Sequence, residues 1–480
     1  MSSENKTLHA GPPPLAPPVP AAEGNVDRTA GGTIAGWAWD PSRPDVPVEV
    51  EVRRGPEVLA RVLAAIWRKD LQMAGKGGGA HGFVVDLASR LGPGSHAGVE
   101  VVVLGTDVHI ATGLRLEVPS ADGVERRRHT EGRFCSIPFE KFVIEADGNV
   151  YLCCPSYLPT VVGNAYRQTF REIWNSAAAQ EVRASIVDGS YRHCLDCCPA
   201  IQAGELPPLA DAARTRHAQA VASEDYELAY GPVHLALLQD RTCNISCPSC
   251  RDVLIYAGVE EQKRLRTLID RVIEPMLAEV ETLEVAGGEF LASRHLREVI
   301  ARIDPEKHPH VRIAAFTNGT LFNERAWADL ANVHGRFQLV YVSLDAARPA
   351  TFEKLRRGGR WDVVRRNLDF IAELRRADAV GEFAINFVVQ RDNYREMLEF
   401  IALGKQLGCD SVRFHELFDF GTYPPGEFQR LNVLDPEHPE HPELLDTLRD
   451  RAFDDPIVNL ANLTATRRRA LAAAPGAPAL

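Results

Sequence analysis

The stretch VHLALLQDRTCNISCPSC, residues 233–250, joins a short apolar run to three closely spaced cysteines. The run HLALLQ is typical of a buried strand, because it is short, apolar and followed by polar residues. Cys243, Cys247 and Cys250 follow it with the spacing C-x3-C-x2-C. Ligands of parallel sheets bind at the carboxyl ends of the strands. We therefore expect these three thiols in a binding site.

Five further apolar runs follow, and helix-like stretches separate them. The runs are TLEVAG (282–287), RIAAFT (312–317), QLVYVSLD (338–345), FAINFVVQ (383–390) and SVRFHEL (411–417). Six strand–helix repeats predict an α/β fold with a parallel sheet and right-handed crossovers, either open or curled into a partial barrel.

The number of thiols in the first loop is itself informative. A structural zinc site usually has four ligands, and none lies nearby in this loop to complete the set. Thiolates also hold iron–sulfur clusters, and a four-iron cluster held by three cysteines leaves one iron open. The spacing alone leaves zinc as an alternative.

The segments that follow the later strands match a known pattern. AGGEF follows the second strand, TNGT the third, VSLDAA ends the fourth and VVQRDN the fifth. With RTCN and the three cysteines, these segments resemble the radical S-adenosylmethionine (SAM) superfamily. Ser249 departs from it, because the family usually has an aromatic residue before the last cysteine.

The resemblance implies a (β/α)6 partial TIM barrel over residues 230–425, with a catalytic [4Fe–4S] cluster on Cys243, Cys247 and Cys250. SAM would bind the open iron, and its reductive cleavage would give a 5′-deoxyadenosyl radical that abstracts a hydrogen atom from the substrate. The resemblance also implies cofactor-binding positions at the strand ends: Gly287, Gly288, Glu289, Asn318, Ser343, Asp345 and Gln390. No residue is identified as a catalytic acid or base.

A second cysteine-rich segment covers residues 130–205. Its pattern C…DGxVxxC…GN…EIW…CxxC resembles the SPASM/twitch domain, so it predicts a small α+β domain with an auxiliary [4Fe–4S] cluster. The resemblance implies the ligands Cys135, Cys153, Cys194 and Cys197, while Cys154 or Cys198 can replace a neighbour. A four-cysteine zinc ribbon is the alternative. In most relatives this domain follows the barrel, whereas here it precedes it.

Three further segments complete the predicted organisation. Residues 1–30 are rich in proline and predict a disordered leader. Residues 31–120 alternate apolar and polar positions and predict an all-β, sandwich-like domain. This domain resembles those attached to enzymes of surface-glycan loci. Its Trp37 and Trp39 are more simply core or staple residues than sugar-stacking ones. Residues 426–480 predict a C-terminal extension and tail.

Length, net charge and cysteine content narrow the range of possible functions. The chain has 480 residues and a net charge of −11, which argues against nucleic acid as the main partner. No signal peptide or membrane span is visible, so we expect a cytoplasmic protein. Ten cysteines in such a protein indicate metal ligands or buried thiols more than disulfides.

The sequence therefore predicts a radical SAM oxidoreductase or related radical enzyme. Oxidation or epimerisation of a carbohydrate or small metabolite is the leading hypothesis, and modification of a ribosomal peptide is the alternative. A zinc-binding interaction protein is the non-enzymatic alternative. An electron donor such as flavodoxin or ferredoxin is the expected protein partner.

Overall fold

A computed structural model describes residues 22–30, 32–68, 71, 74–91, 94–118, 130–195, 198–251, 253–418, 422–423 and 426–472. The chain divides into two compact units, residues 1–120 and 121–480. Of the leader predicted for residues 1–30, residues 1–21 lie outside the described residues. Its remainder is not a leader, because Glu23–Ala30 forms a strand that pairs with Thr33–Trp39.

The first unit consists of two four-stranded antiparallel sheets, as expected for a β-sandwich. One sheet has the order β1-β2-β6-β5 and the other β4-β3-β7-β8. The strands are β1 (Glu23–Ala30), β2 (Thr33–Trp39), β3 (Val48–Arg54), β4 (Glu57–Ala64), β5 (Ile66–Trp67), β6 (Ala80–Asp86), β7 (Gly94–Val103) and β8 (His109–Val118).

Side chains of both sheets form the core of this unit. Ile34 and Ala38 of β2 are buried together with Val50 of β3. Trp37 and Trp39 alternate with these positions and are partly exposed. The Nζ atom of Lys76 lies 4.7 and 4.8 Å from the centroids of the two indole rings. Of the expected core or staple role, the core part is wrong, because the pleat of β2 turns both tryptophans away from the core.

The second unit is built around one ten-stranded sheet with the order β11-β10-β9-β12-β13-β14-β15-β16-β17-β18. Its strands are β9 (Lys141–Ile144), β10 (Asn149–Tyr151), β11 (Gly163–Asn164), β12 (His234–Leu237), β13 (Thr282–Val285), β14 (Arg312–Thr317), β15 (Phe337–Ser343), β16 (Val380–Val389), β17 (Ser411–Glu416) and β18 (Val458–Asn459). Strands β12 to β17 are parallel, and they are the six predicted from the sequence.

Helices connect these strands and cover the sheet. Their bounds are α1 (Ala88–Leu91, in the first unit), α2 (Phe170–Trp174), α3 (Ala177–Val187), α4 (Pro199–Ala203), α5 (Ala218–Ser223), α6 (Val259–Leu268), α7 (Glu274–Met276), α8 (Arg294–Ala301), α9 (Glu324–Ala328), α10 (Pro349–Leu355), α11 (Trp361–Arg376), α12 (Met397–Leu407), α13 (Glu427–Leu431), α14 (His441–Leu448) and α15 (Thr464–Ala472). A π-helical turn, Ile269–Ile273, joins α6 to α7. Within the described residues, no helix has the length and apolar character needed to cross a membrane.

The second cysteine-rich segment is joined to the barrel by backbone hydrogen bonds. Strand β9 pairs in parallel with β12, so that Lys141 lies beside His234 and Ile144 beside Leu237. Strand β10 returns antiparallel to β9 through the Asp-Gly turn. The segment thus extends the barrel sheet, and both belong to the unit 121–480.

Trp174 anchors this extension. It ends α2, which begins at a capping box formed by Thr169 and Glu172. The indole is fully buried, and its Nε1–H donates to the carbonyl of Tyr230 at 2.8 Å. The guanidinium of Arg183 lies 4.3 Å from the ring centroid. One side chain therefore links α2, α3 and the segment that leads into β12.

We expect Trp174→Phe to lower the free energy of unfolding of this unit by about 2–4 kcal/mol, since it removes a buried hydrogen bond and leaves a cavity. Urea denaturation followed by circular dichroism measures the change. Val259→Ala, at a side chain that is 71% exposed, is the control and should change stability by less than about 0.5 kcal/mol. Equal midpoints for Trp174→Phe and the wild type would contradict the anchoring role.

Candidate functional site

The three-cysteine loop lies directly after β12, at the carboxyl edge of the parallel strands. Cys243 and Cys247 are buried, and they form a small apolar cluster with Ile245 against which Cys250 packs. The N–H of Cys243 donates to the carbonyl of Ile255 at 2.8 Å, which holds the start of the loop against its exit. The three thiols are therefore brought together, as the sequence predicted.

Each thiol of the loop is within reach of one N–H donor from a different part of the site. Asn318 Nδ2 lies 3.7 Å from Cys243 Sγ, and Arg251 Nη2 lies 3.3 Å from Cys250 Sγ. Arg356 Nη1 lies 3.5 Å from Cys247 Sγ. Hydrogen bonds to the sulfurs are characteristic of protein-bound iron–sulfur clusters. This donor set fits a cluster held by three thiolates.

Arg356 is held by a buried carboxylate. Its Nη2 lies 2.7 Å from Asp345 Oδ2, and both side chains are largely buried. The other oxygen of Asp345 accepts a hydrogen bond from the N–H of Val388 at 2.8 Å. Asp345 has φ +61°, a left-handed conformation that costs a non-glycine residue about 1–3 kcal/mol. The surrounding hydrogen bonds hold this strained turn in place.

The two glycines after β13 permit a close contact between two loops. Gly287 has φ +89°, and a Cβ atom there would lie 2.7 Å from the carbonyl oxygen of Leu238. A Cβ atom at Gly288 would lie 2.1 Å from the carbonyl oxygen of Thr242. Only glycine therefore allows this backbone to pack against the three-cysteine loop.

Glu289 points into the protein and ties two strand ends together. Its carboxylate accepts hydrogen bonds from the hydroxyl of Thr317 at 2.9 Å and from the N–H of Asn318 at 2.7 Å. Complete burial raises the pKa of Glu289 to about 7, although these hydrogen bonds oppose the shift. The carboxylate also accepts from the N–H of Leu291 at 3.3 Å, so the structure shows it bound within the protein.

The remaining predicted cofactor positions also lie at the carboxyl edge. Ser343 ends β15 and is partly exposed, and Gln390 directly follows β16 and is buried. All seven positions predicted for SAM are thus at the ends of β13 to β16: Gly287, Gly288, Glu289, Asn318, Ser343, Asp345 and Gln390. Their roles toward SAM stay predictions.

A polar group that the sequence did not single out lies on the inner face of the strands. The hydroxyl of Tyr341 donates to Asn386 Oδ1 at 2.6 Å and lies 3.0 Å from His415 Nε2. Their sequence neighbours, such as Val342 and Phe414, belong to the core beneath the helices. By alternation, the three polar side chains face the concave side of the sheet.

The same inner face carries charges that are paired with one another. Arg413 Nη2 lies 2.7 Å from Glu382 Oε1. Lys141 Nζ and His234 Nε2 lie 3.1 and 2.8 Å from the same carboxylate oxygen of Glu284. Burial disfavours the charge on Glu284, yet the hydrogen bond from His234 and the charge of Lys141 lower its pKa overall.

Four thiols of the second segment converge on one apolar cavity. The cavity is lined by Cys135, Cys153, Cys194 and Cys198, with Pro138, Tyr157, Leu158, Tyr191, Ala200, Ile201 and Leu206. The predicted ligand Cys197 lies outside the described residues. Cys154 does not line the cavity. Among the described cysteines, Cys198 is therefore the one that completes a set of four.

The thiols of this cavity lie in an environment that favours their neutral form until a cation binds. Burial, with the neighbouring thiols adding to it, raises the pKa of Cys135 to about 11 and that of Cys153 to about 12. A bound metal reverses this preference, because coordination deprotonates a thiol.

No group of three or more His, Cys, Asp or Glu in the described part of the chain is arranged around a single metal ion. In a four-iron cluster each thiolate binds a different iron, so its ligands need not share one point.

The two cysteine sites lie at opposite ends of the strands of the same sheet. Cys243 follows the carboxyl end of β12. Cys135 precedes β9, which runs parallel to β12, and Cys153 follows β10, which runs antiparallel to β9. The four-thiol cavity is therefore at the amino ends of the parallel strands, and the first loop is at their carboxyl ends.

Both cysteine-rich segments match known protein families. Residues 241–404 match the sequence model of the Radical SAM superfamily, and residues 135–198 match that of SPASM, an iron–sulfur cluster-binding domain. A curated relative, a probable GTP 3′,8-cyclase of Saccharolobus islandicus, is 26% identical over 193 residues. The alignment covers 39% of this chain and 58% of that protein. The chain thus spans a little over half the length of the curated relatives it matches.

Solved structures show a weaker likeness. SuiB of Streptococcus suis has a TM-score of 0.34 at 15% identity, with 52% of this chain and 53% of that chain covered. The methyltransferase TsrM of Kitasatospora setae has a TM-score of 0.30 at 16% identity, with 39% and 37% covered. The two family matches coincide with the two cysteine sites. The chain therefore contains a SPASM iron–sulfur cluster-binding domain followed by a Radical SAM superfamily domain, and these imply a [4Fe–4S] cluster with SAM and an auxiliary cluster.

Proposed function

We propose that this protein is a radical SAM enzyme whose [4Fe–4S] cluster is held by Cys243, Cys247 and Cys250. One observation carries the proposal: three thiols meet at the carboxyl edge of a parallel sheet, each with its own N–H donor. Among the described cysteines, no fourth one joins this group. When bound, the cluster and SAM supply one-electron cleavage of a sulfonium and hydrogen-atom abstraction from the substrate.

The inner face beneath this site is the proposed substrate position. Tyr341, Asn386 and His415 offer donors and acceptors that carry no charge. Burial lowers the pKa of His415 to about 4, so the imidazole is neutral near pH 7. Burial also raises the pKa of Tyr341, which keeps the phenol protonated. Neutral hydrogen-bonding groups of this kind suit the hydroxyl groups of a substrate.

We therefore propose oxidation or epimerisation of a carbohydrate or a small hydroxylated metabolite. The paired charges of the inner face support this substrate class. Arg413 is neutralised by Glu382, and Lys141 by Glu284. A substrate with several phosphates would find these cations already engaged by carboxylates, which repel it.

Action on GTP is a second candidate, because the curated relatives are named as probable GTP 3′,8-cyclases. Recognition of a triphosphate commonly relies on free arginine or lysine side chains. Arg356, which reaches the sulfur of Cys247 from the strand ends, is paired with Asp345. The charge arrangement thus favours the neutral substrate over GTP.

The auxiliary cluster is proposed to be held by Cys135, Cys153, Cys194 and Cys198. These four thiols line one cavity, and a complete set of protein ligands leaves no iron open. At the amino edge of the sheet, the cluster would accept an electron from the substrate side or contact the far end of a long substrate.

Cys250→Ala should abolish the formation of 5′-deoxyadenosine, since two thiolates are too few to hold the catalytic cluster. The measurement is chromatography of the products after anaerobic reconstitution with iron, sulfide, SAM and dithionite. Cys409→Ala, at a buried thiol remote from both sites in the sequence, is the control. Continued SAM cleavage by the Cys250 variant would refute the cluster assignment.

Cys198→Ala should lose about four of the roughly eight irons expected for two four-iron clusters. Its matched partner, Cys154→Ala, should keep them all, because Cys154 does not line the cavity. Iron and sulfide analysis of the purified variants measures both. Loss of iron on replacing Cys154 but not Cys198 would reverse the assignment, and stoichiometric zinc in the wild type would end it.

Tyr341→Phe should lower the rate of substrate-dependent 5′-deoxyadenosine formation about 2–10-fold, because one hydrogen bond is worth about 0.5–1.5 kcal/mol. Deuterium transfer from deuterated neutral saccharides into 5′-deoxyadenosine reports that rate. Tyr394→Phe removes a hydroxyl that bonds to Glu440 on the helical side, and it should leave the rate unchanged. Transfer from deuterated GTP, but not from the saccharides, would favour the second candidate.

A further inference from the structure

Two of the three donors to the thiols are guanidinium groups, and both are largely buried. Arg251 is 3% exposed, and Arg356 has a side chain that is 12% exposed. Arg251 also donates to the carbonyls of Arg241 at 2.6 Å and Gly287 at 3.2 Å, and none of its hydrogen-bond partners within the described residues is a carboxylate. Arg356 has one, Asp345.

The two guanidiniums therefore differ in their described partners. Both contact sulfurs, those of Cys250 and Cys247, and the second guanidinium is also paired with the carboxylate of Asp345. Charge effects in such a buried site are larger than at the surface, because little water screens them.

We propose that Arg251 and Arg356 raise the reduction potential of the cluster on Cys243, Cys247 and Cys250, and that Asp345 limits the contribution of Arg356. The inference rests on the proposed function, because it requires the cluster to bind there. Arg251, Arg356 and Asp345 are thus positioning residues that act through the thiolates.

The direction of the shift in reduction potential follows from charge. Reduction adds one electron to a cluster that already carries three thiolates, so the reduced form is the more negative. A nearby guanidinium stabilises that form and a nearby carboxylate destabilises it. Hydrogen bonds to the sulfurs act in the same direction as the cations, and net charge and hydrogen bonding are known determinants of cluster potentials.

The test is a redox titration of the reconstituted full-length protein without SAM. The reduced cluster is followed by electron paramagnetic resonance, and the signal of interest is the one that changes when SAM is added afterwards. Arg356→Gln should lower the equilibrium constant for one-electron reduction about tenfold, which is 59 mV for one electron. Asp345→Asn should shift it by a similar factor in the opposite direction.

The double variant Asp345→Asn/Arg356→Gln should lie closer to the wild type than either single variant. A purely structural disturbance would move both single variants in the same direction, so that result overturns the inference, as does an unchanged potential in both. Arg251→Gln keeps an N–H donor but removes the charge, and it should lower the potential too. If Arg356→Gln does not fold, Arg251→Gln still tests the inference at the other arginine.

Arg360→Gln is the matched control. Arg360 lies in the same segment as Arg356 but is exposed and paired with Asp362, so its replacement should leave the potential unchanged. Iron content is measured on every sample. A wild-type protein without the SAM-responsive cluster refutes the proposed function itself, whereas a wild-type cluster whose potential ignores these charges refutes only the present inference.

Discussion

The site depends on one close contact between two backbones at the carboxyl edge of the sheet. The N–H of Glu289 donates to the carbonyl of Thr242 at 2.7 Å, with Gly288 lying directly against that carbonyl. Parallel pairing of β12, β13 and β14 sets the distance between the loops, and glycine permits them to touch. Thr317 and Asn318 then reach the Glu289 carboxylate. The loop that carries the thiols is thereby fixed to the ends of the neighbouring strands.

Because this contact is buried, the charged side chains around it need hydrogen-bond or ion-pair partners. Carboxylates and guanidiniums that leave water are stable only when they are paired or hydrogen-bonded. Glu289 is satisfied by N–H and O–H donors of β14, and Asp345 by Arg356 and the backbone of Val388. Because Arg356 then faces the sulfur of Cys247, the same pair that stabilises the turn also sets the charge beside the thiols. Asp345 and Arg356 therefore serve both the stability of the turn and the proposed tuning of the reduction potential.

Local patterns in the sequence predicted the six parallel strands and the order of the motifs, because alternation and spacing are local properties. They did not identify Arg356, since Arg357 beside it has the same chemistry and only the fold decides which guanidinium is buried. Pairing of β9 with β12 is also nonlocal, as about 90 residues separate them.

Tyr341, Asn386 and His415 were missed because single polar residues within apolar strands carry no motif. The pleat of β2, rather than composition, decides that Trp37 and Trp39 lie outside the core.

Parallel pairing of β9 with β12 also explains how a cluster domain that precedes the barrel can serve it. Had the two strands paired antiparallel, Cys135 and Cys153 would lie at the same edge as Cys243. In the observed direction they lie at the opposite ends of these strands, where Lys141 begins β9 beside His234 of β12. The two cysteine sites thus flank the same parallel strands from opposite ends. Strand direction, and not domain order in the sequence, therefore fixes the relation between the two proposed clusters.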